Sequence, residues 1–175
     1  LFVPLWTKAA NFKGNTARSI KETAGFLEQM EQERSGGHFV FLNLMETHMP
    51  YAPPEEFVKK FVPYLHETPE AQQFLSAFNR KAMQWLIPLE KPFNQVESAA
   101  LSDMYDAEVA YQDHLLSTLL EKVNTAYHRD KTMVIFLADH GEMLGEHGYM
   151  GHGFGLHEEL IRVPLFIRLP ELQKV

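Results

Sequence analysis

The most constraining stretch of the chain is Met133-Val134-Ile135-Phe136-Leu137-Ala138 followed at once by Asp139-His140-Gly141. An apolar run of this length, rich in β-branched and aromatic residues, is too short for a typical helix and predicts a strand buried on both faces. Asp139 and His140 then stand at its carboxyl end, the edge of an open parallel sheet where ligands usually bind. Gly141 lets the backbone turn sharply there, so that neighbouring side chains converge instead of alternating across the strand. A carboxylate beside a neutral imidazole offers a hard oxygen and a borderline nitrogen, a pairing suited to a divalent cation. A bare Asp-His-Gly is equally well a polar strand-to-loop turn, and only its surroundings separate the two readings.

Those surroundings are dense in acids, histidines and glycines: Glu142, Gly145-Glu146-His147-Gly148, Gly151-His152-Gly153, then Glu158-Glu159-Leu160-Ile161-Arg162-Val163-Pro164. Upstream, His38 to Met45 is again almost wholly apolar and predicts a second strand buried on both faces. It leads into Glu46-Thr47-His48-Met49-Pro50-Tyr51, which places His48 at the same edge as Asp139 if the two strands run parallel.

Helical spacing accounts for much of the rest. Residues 1–13 have no clear period and predict a loop. Asn15 is placed to cap a helix running to about Glu33, with Ile20, Ala24, Leu27 and Met30 on one face and Ser35-Gly36-Gly37 as its stop. Glu55 to Tyr64 predicts a short helix. Pro69 opens another, whose Phe74, Leu75, Phe78, Ala82, Trp85 and Leu86 form a core stripe rather than an aromatic binding box. Asn94 with Glu97 three residues on is a capping-box variant opening the longest helix, to about His128. Glu108 and Asp113 lie beside its apolar stripe, where a carboxylate bonded to nearby backbone or to an arginine is favoured over a catalytic one. Strand, crossover helices and strand predict a right-handed βαβ unit. A last strand is expected over Val163 to Leu169, after a short helix near Glu158. Three strands buried on both faces need more cover than these helices provide, so the sheet is expected to take strands from outside this segment.

DHGEMLGEHG with the downstream EELIRVPLFIRLP resembles the carboxyl-terminal half of the sulfatase family, within the alkaline phosphatase-like superfamily. FVFLNLMETHMPY from Phe39 is similar to that family's strand and histidine-proline-tyrosine turn, and YDAEVAYQD from Tyr105 to its long helix before the metal strand. The resemblance implies an α/β fold, part of a three-layer sandwich with a mostly parallel sheet flanked by helices. It implies a hydrolase of sulfuric esters with a divalent metal held in part by Asp139 and His140, and with His48 and His152 acting on substrate oxygens. Calcium is the expected ion, or manganese or zinc given the nitrogen of His140. The substrate class is an anionic sulfate or phosphate ester.

Two features depart from the family's pattern. Its nucleophile is a formylglycine made from a C/S-x-P-x-R motif, and an early aspartate pair supplies further metal ligands; neither motif is present, and the chain has no cysteine. Residues 1–175 are therefore expected to be a single partial domain lacking its amino-terminal half, inactive alone, with 52–93 a variable helical insertion. Histidine after the metal aspartate is also reminiscent of phosphonate and phosphodiester hydrolases and of phosphoglycerol or phosphoethanolamine transferases in the same superfamily. A non-catalytic interaction module is the rival of a different class.

Composition narrows the partners. At 45% hydrophobic and 22% charged residues the chain is ordinary for a globular domain. A formal net charge of −7 argues against a nucleic-acid surface. No apolar run approaches the roughly 18 residues that span a bilayer. Absence of cysteine is compatible with any compartment, so localisation stays open.

Of the nine histidines, His140 is read as the metal ligand and His147 as a residue that steadies the glycine loop. His157 is read as packing, and His38, His66, His114 and His128 as surface or core residues. His152, between Gly151 and Gly153, falls where similar enzymes place a lysine or histidine against the sulfuryl or leaving-group oxygens. An imidazole with an ordinary pKa of about 6.5 carries only part of a charge there at neutrality, unlike lysine.

Overall fold

The computed structural model describes residues 13–33, 37–81, 85 and 88–170. The expected loop over residues 1–12, the Ser35-Gly36 helix stop and the stripe's continuation through Ala82 and Leu86 lie outside the described residues. The first helix, α1, is Thr16–Glu33 and buries Ile20, Ala24 and Leu27 on the face expected from their spacing. α2 (Glu55–Phe61) runs into a 3-10 turn at Pro63–Glu67, and α3 (Pro69–Arg80) opens on its proline. α4 (Gln95–Val123) is the long helix, and a short α5 (Ala126–Arg129) follows it.

α4 starts at Asn94 because both halves of the capping box form. The Glu97 backbone N–H donates to the Asn94 side chain at 3.0 Å, and the Asn94 N–H to the Glu97 carboxylate at 2.9 Å. Two donors that the helix itself cannot satisfy are thereby paired. The Asn94 amide also donates to Glu70 of α3 at 2.9 Å, joining two helix starts. Asn94→Ala is expected to destabilise the protein by about 1 kcal/mol, a fall in Tm of about 2–4 °C by thermal melt.

The main core lies where α2, the 3-10 turn and α3 pack on α4. Val58, Val62, Leu65, Leu75, Phe78, Leu101 and Met104 are buried there with Met49, Tyr51 and Met150. Phe78 is fully buried and sandwiched, its ring stacked on Tyr51 at 5.9 Å and on Trp85 at 5.1 Å. The stripe of α3 is thus core, and it packs directly under the turn that carries His48. A smaller core joins Ile20 and Leu27 of α1 to Leu119 and Val123 of α4.

The strands depart from expectation. β1 is Val134–Leu137, within the expected run, and pairs with β4 (Leu165–Arg168) in an antiparallel ladder, Val134 opposite Arg168 and Leu137 opposite Leu165. β2 (Met143–Leu144) and β3 (Met150–Gly151) form a second antiparallel pair. Residues 38–45 form no strand, so the expected parallel βαβ unit is not formed among the described residues. Nor are these segments buried on both faces: Phe39 is 90% exposed, Ile135 53% and Ile167 56%. The physical reason is that a strand is completed by its neighbours, through ladder hydrogen bonds and the layers on either face. The described residues provide one ladder partner for β1 and none for 38–45. α6 (Glu158–Ile161) precedes β4 as expected. Among the described residues, no helix is long and apolar enough to cross a membrane.

Candidate functional site

Three loops meet beyond the carboxyl end of β1. The first, Glu46 to Ala52, turns immediately after residues 38–45, which form no helix or strand; the His48 N–H bonds back to the Met45 carbonyl at 3.2 Å, and the Met49–Pro50 peptide is cis. The second is Asp139-His140-Gly141. The third follows β3 and carries His152.

These loops bring three imidazoles into a row. The His152 ring lies 4.0 Å from that of His140, nearly parallel to it, and 5.1 Å from that of His48, edge to face. Asp139 stands beside them, with its Oδ1 3.8 Å from Nε2 of His140. The four residues expected from sequence to carry the chemistry are therefore close neighbours, although 91 positions separate His48 from Asp139 in the chain.

Local hydrogen bonds set how two of these rings present their nitrogens. His140 Nδ1 lies 2.8 Å from the Gly141 carbonyl, and His48 Nδ1 lies 2.8 Å from the Met49 carbonyl. A carbonyl only accepts, so each Nδ1 carries the proton and each neutral ring keeps its lone pair on Nε2. In His140 that lone-pair nitrogen is the one facing Asp139.

The residue sequence reasoning passed over is Glu142. Its side chain is only 6% exposed, and its two oxygens meet His152 Nδ1 at 2.9 Å and the Tyr51 hydroxyl at 3.3 Å. The Glu142 hydrogen bond, aided by its charge, raises the His152 pKa above the usual imidazole value. Burial and the same carboxylate push the Tyr51 phenol well up, so it stays a hydroxyl and donates. Glu142 thus orients His152 from behind and ties it to the His48 turn. Its place directly after Asp-His-Gly was the one available signal, and the partner ten residues on is set by the β2–β3 turn.

Glycines shape the site in different ways. Gly141 has no left-handed φ; a Cβ on it would lie 1.9 Å from the Glu159 carbonyl oxygen. Its role is close approach of two backbones, sealed by its own N–H bonding to the Leu160 carbonyl at 2.8 Å, where the chain has just bent at Asp139. Gly151 does adopt φ +78°, which an L side chain rarely does, just before His152. His147 stacks on His157 at 4.1 Å and meets the Glu159 carboxylate at 3.3 Å, so it steadies the glycine loop against α6. His157 packs, as its position suggested. His128 is buried and bonds the Leu27 carbonyl at 3.0 Å.

The donor set can be tested against a divalent cation. One hard oxygen and one oriented nitrogen stand 3.8 Å apart and open to solvent. Neighbouring tetrahedral positions at bond lengths of about 2.0–2.1 Å are closer, at ~3.4 Å, so the exposed Asp139 carboxylate has to rotate toward His140 for the two to share a cation. Among the described residues no group of three or more potential ligands converges.

The profile of the family described as Sulfatase matches residues 6–175. The chain is similar to the uncharacterized sulfatase YidJ of Escherichia coli (strain K12), 28% identical over 127 residues that cover 72% of this chain and 25% of that protein. It is also similar to an N-acetylglucosamine-6-O-sulfatase of Bacteroides thetaiotaomicron, 36% identical over 70 residues, 40% of this chain and 12% of that one. A choline-sulfatase of Rhizobium meliloti is 35% identical over 66 residues, 38% and 13% of the two chains. The chain thus spans about a quarter or less of the length of these relatives.

Proposed function

The chain belongs to the sulfatase family, and from that premise we propose that it is the part of a metal-dependent sulfuric ester hydrolase that supplies Asp139 and His140 to the cation and His48 and His152 to the ester's oxygens. The observation that carries this reading is the row of three imidazoles beside Asp139, drawn from loops far apart in the chain. Residues 1–175 are read as a partial domain within an alkaline phosphatase-like three-layer sandwich, and the helices of 52–93 as the insertion that shapes access to the site.

A divalent cation, when bound at Asp139 and His140, neutralises charge on the transferred group. The chain's own residues do the rest. His152, whose protonated form Glu142 favours, offers in that form a charge-assisted hydrogen bond to an anionic oxygen, worth about 1.5–3 kcal/mol. His48 presents Nε2 to a second oxygen, as a donor when its ring is protonated. The nucleophile, a formylglycine in this family, lies outside these residues on this reading, so the isolated segment is expected to be inactive.

One observation favours a second reading. The oriented His140 nitrogen moves metal preference from calcium toward manganese or zinc, which suits a phosphonate or phosphodiester hydrolase, or a phosphoglycerol or phosphoethanolamine transferase. Two of the relatives are an N-acetylglucosamine-6-O-sulfatase and a choline-sulfatase, which weighs toward sulfate. Metal analysis of the intact enzyme, with paired assays on an aryl sulfate and an aryl phosphodiester, decides between them. The sulfate is expected to give a kcat/KM higher by about tenfold or more, a difference of about 1.4 kcal/mol in transition-state stabilisation. The reverse ratio overturns the sulfatase assignment, and turnover of neither ester leaves the interaction module.

A further inference from the structure

The turn that carries His48 is held by side chains from elsewhere in the fold. Tyr51 is gripped on both sides of its backbone by Asn79 of α3: the Tyr51 N–H donates to the Asn79 oxygen at 2.9 Å, and the Asn79 amide donates to the Tyr51 carbonyl at 2.6 Å. The Ala52 N–H donates to the Glu108 carboxylate at 2.6 Å, and the Pro50 carbonyl accepts from the Lys13 ammonium at 2.6 Å. At the other end of the turn, the Glu46 N–H donates to the Gln112 side chain at 3.3 Å. Glu108 and Gln112 are one helical turn apart on α4, so a single helix face grips both ends.

The ion pair at the centre of this arrangement is unusual. Lys13 and Glu108 bond to each other with side chains 6% and 1% exposed. Burial pushes the Glu108 carboxyl up to about 7 and the Lys13 ammonium down, so each is held against its preference for water. A buried pair of this kind is weak as a source of stability, and apolar replacements of similar volume are often tolerated or even stabilising. What it does supply is a fixed acceptor for Ala52 and a fixed donor for Pro50, four and two residues from His48.

We propose that Asn79 and the Lys13–Glu108 pair are positioning residues that set the place of the His48 imidazole by clasping the backbone of Pro50 to Ala52. The clasp rests on the reading of His48 given above, and it extends that reading to residues remote from the substrate. It also gives the helices of 52–93 and α4 a part in the site, since Asn79 comes from one and Glu108 from the other.

The experiment is a double-mutant cycle in the intact enzyme. Lys13→Met/Glu108→Leu removes both charges while keeping apolar volume, and Asn79→Leu is the second, independent variant. Misplacing a reacting group by about 1 Å can slow an enzyme about a hundredfold, and a fall of that order in kcat is expected for each variant, with a lower Tm in both because the backbone groups of Pro50 and Ala52, or of Tyr51, lose their partners. In a His48→Ala background the same changes are expected to lower kcat by no more than about twofold, because the group they position is gone. Losses that multiply fully in that background, or a wild-type kcat in either folded variant, overturn the clasp. If the charge-pair variant fails to fold, Asn79→Leu alone decides by the same criterion. His48→Ala tested by itself separates the two ideas: undiminished kcat removes the reading of His48 and the clasp with it, whereas a loss from His48→Ala without one from the clasp variants removes only the clasp.

Discussion

Asp139→Ala in the intact enzyme is expected to strip the metal and to lower kcat on an aryl sulfate by about a thousandfold or more. Among the described residues Asp139 is the oxygen donor that stands with His140, so its removal takes away half of what this segment offers a cation, and the donor that neutralises its charge. A cation neutralising a transferred anionic group contributes several kcal/mol at the transition state, and about 4 kcal/mol corresponds to a thousandfold. The Asp139 carboxylate is 84% exposed and accepts the His140 N–H at 3.1 Å. Its removal therefore breaks no packing, and Tm without added metal is expected to stay nearly constant. Elemental analysis beside steady-state kinetics reads the outcome. Unchanged metal stoichiometry with kcat within about tenfold of the parent would show that the site lies elsewhere.

The second large effect is expected at Gly141→Ala. The added methyl would meet the Glu159 carbonyl oxygen at 1.9 Å, the Glu159 carbonyl carbon at 2.9 Å and the Leu160 Cα at 3.2 Å, all of them backbone. No rotamer change relieves contacts of that kind, so the loop must part from α6 and the Gly141 hydrogen bond to Leu160 must stretch or break. Overpacking of this severity together with a lost buried hydrogen bond is expected to destabilise the protein by about 3 kcal/mol, a fall in Tm of about 6–12 °C. Asp139 and His140, adjacent in the chain, move with the loop, and activity falls with them. Gly153→Ala is the control, since nothing lies within 4 Å of a Cβ there and its φ is not left-handed. Its Tm is expected to match the parent within about 0.5 kcal/mol of stability. Equal Tm values for the two variants would refute the close-approach account of Gly141.

Much of the site was legible because its chemistry is written in short strings. Asp139-His140-Gly141 after an apolar run, His48 before Met49-Pro50-Tyr51, and His152 between two glycines each announced a polar group at a turn. Glu108 was expected to bond backbone, and it does, through Ala52, although its cation is Lys13 and not an arginine. Glu142 was missed as an orienting group because a glutamate beside a turn has no distinguishing spacing. Its partners, His152 and Tyr51, are found only by folding the β2–β3 hairpin and the cis-proline turn onto each other. Asn79 was invisible for the same reason, being one polar residue at the margin of an apolar stripe.

The helices behaved differently from the strands. α1, α3 and the start of α4 came out where spacing, Pro69 and the Asn94–Glu97 pair put them. The apolar runs at 38–45 and 133–138 promised buried parallel strands, and the described residues contain an exposed antiparallel pair at the second run and no strand at the first. Local order thus determined the helices, the turn glycines and the kinds of side chain present at the site, because helical hydrogen bonds and caps close within about four residues. Strand pairing, the burial of the Lys13–Glu108 pair and the row of imidazoles were decided only by the tertiary structure. Each of these joins groups tens of residues apart, and no interaction available to the local chain selects one such partner over another.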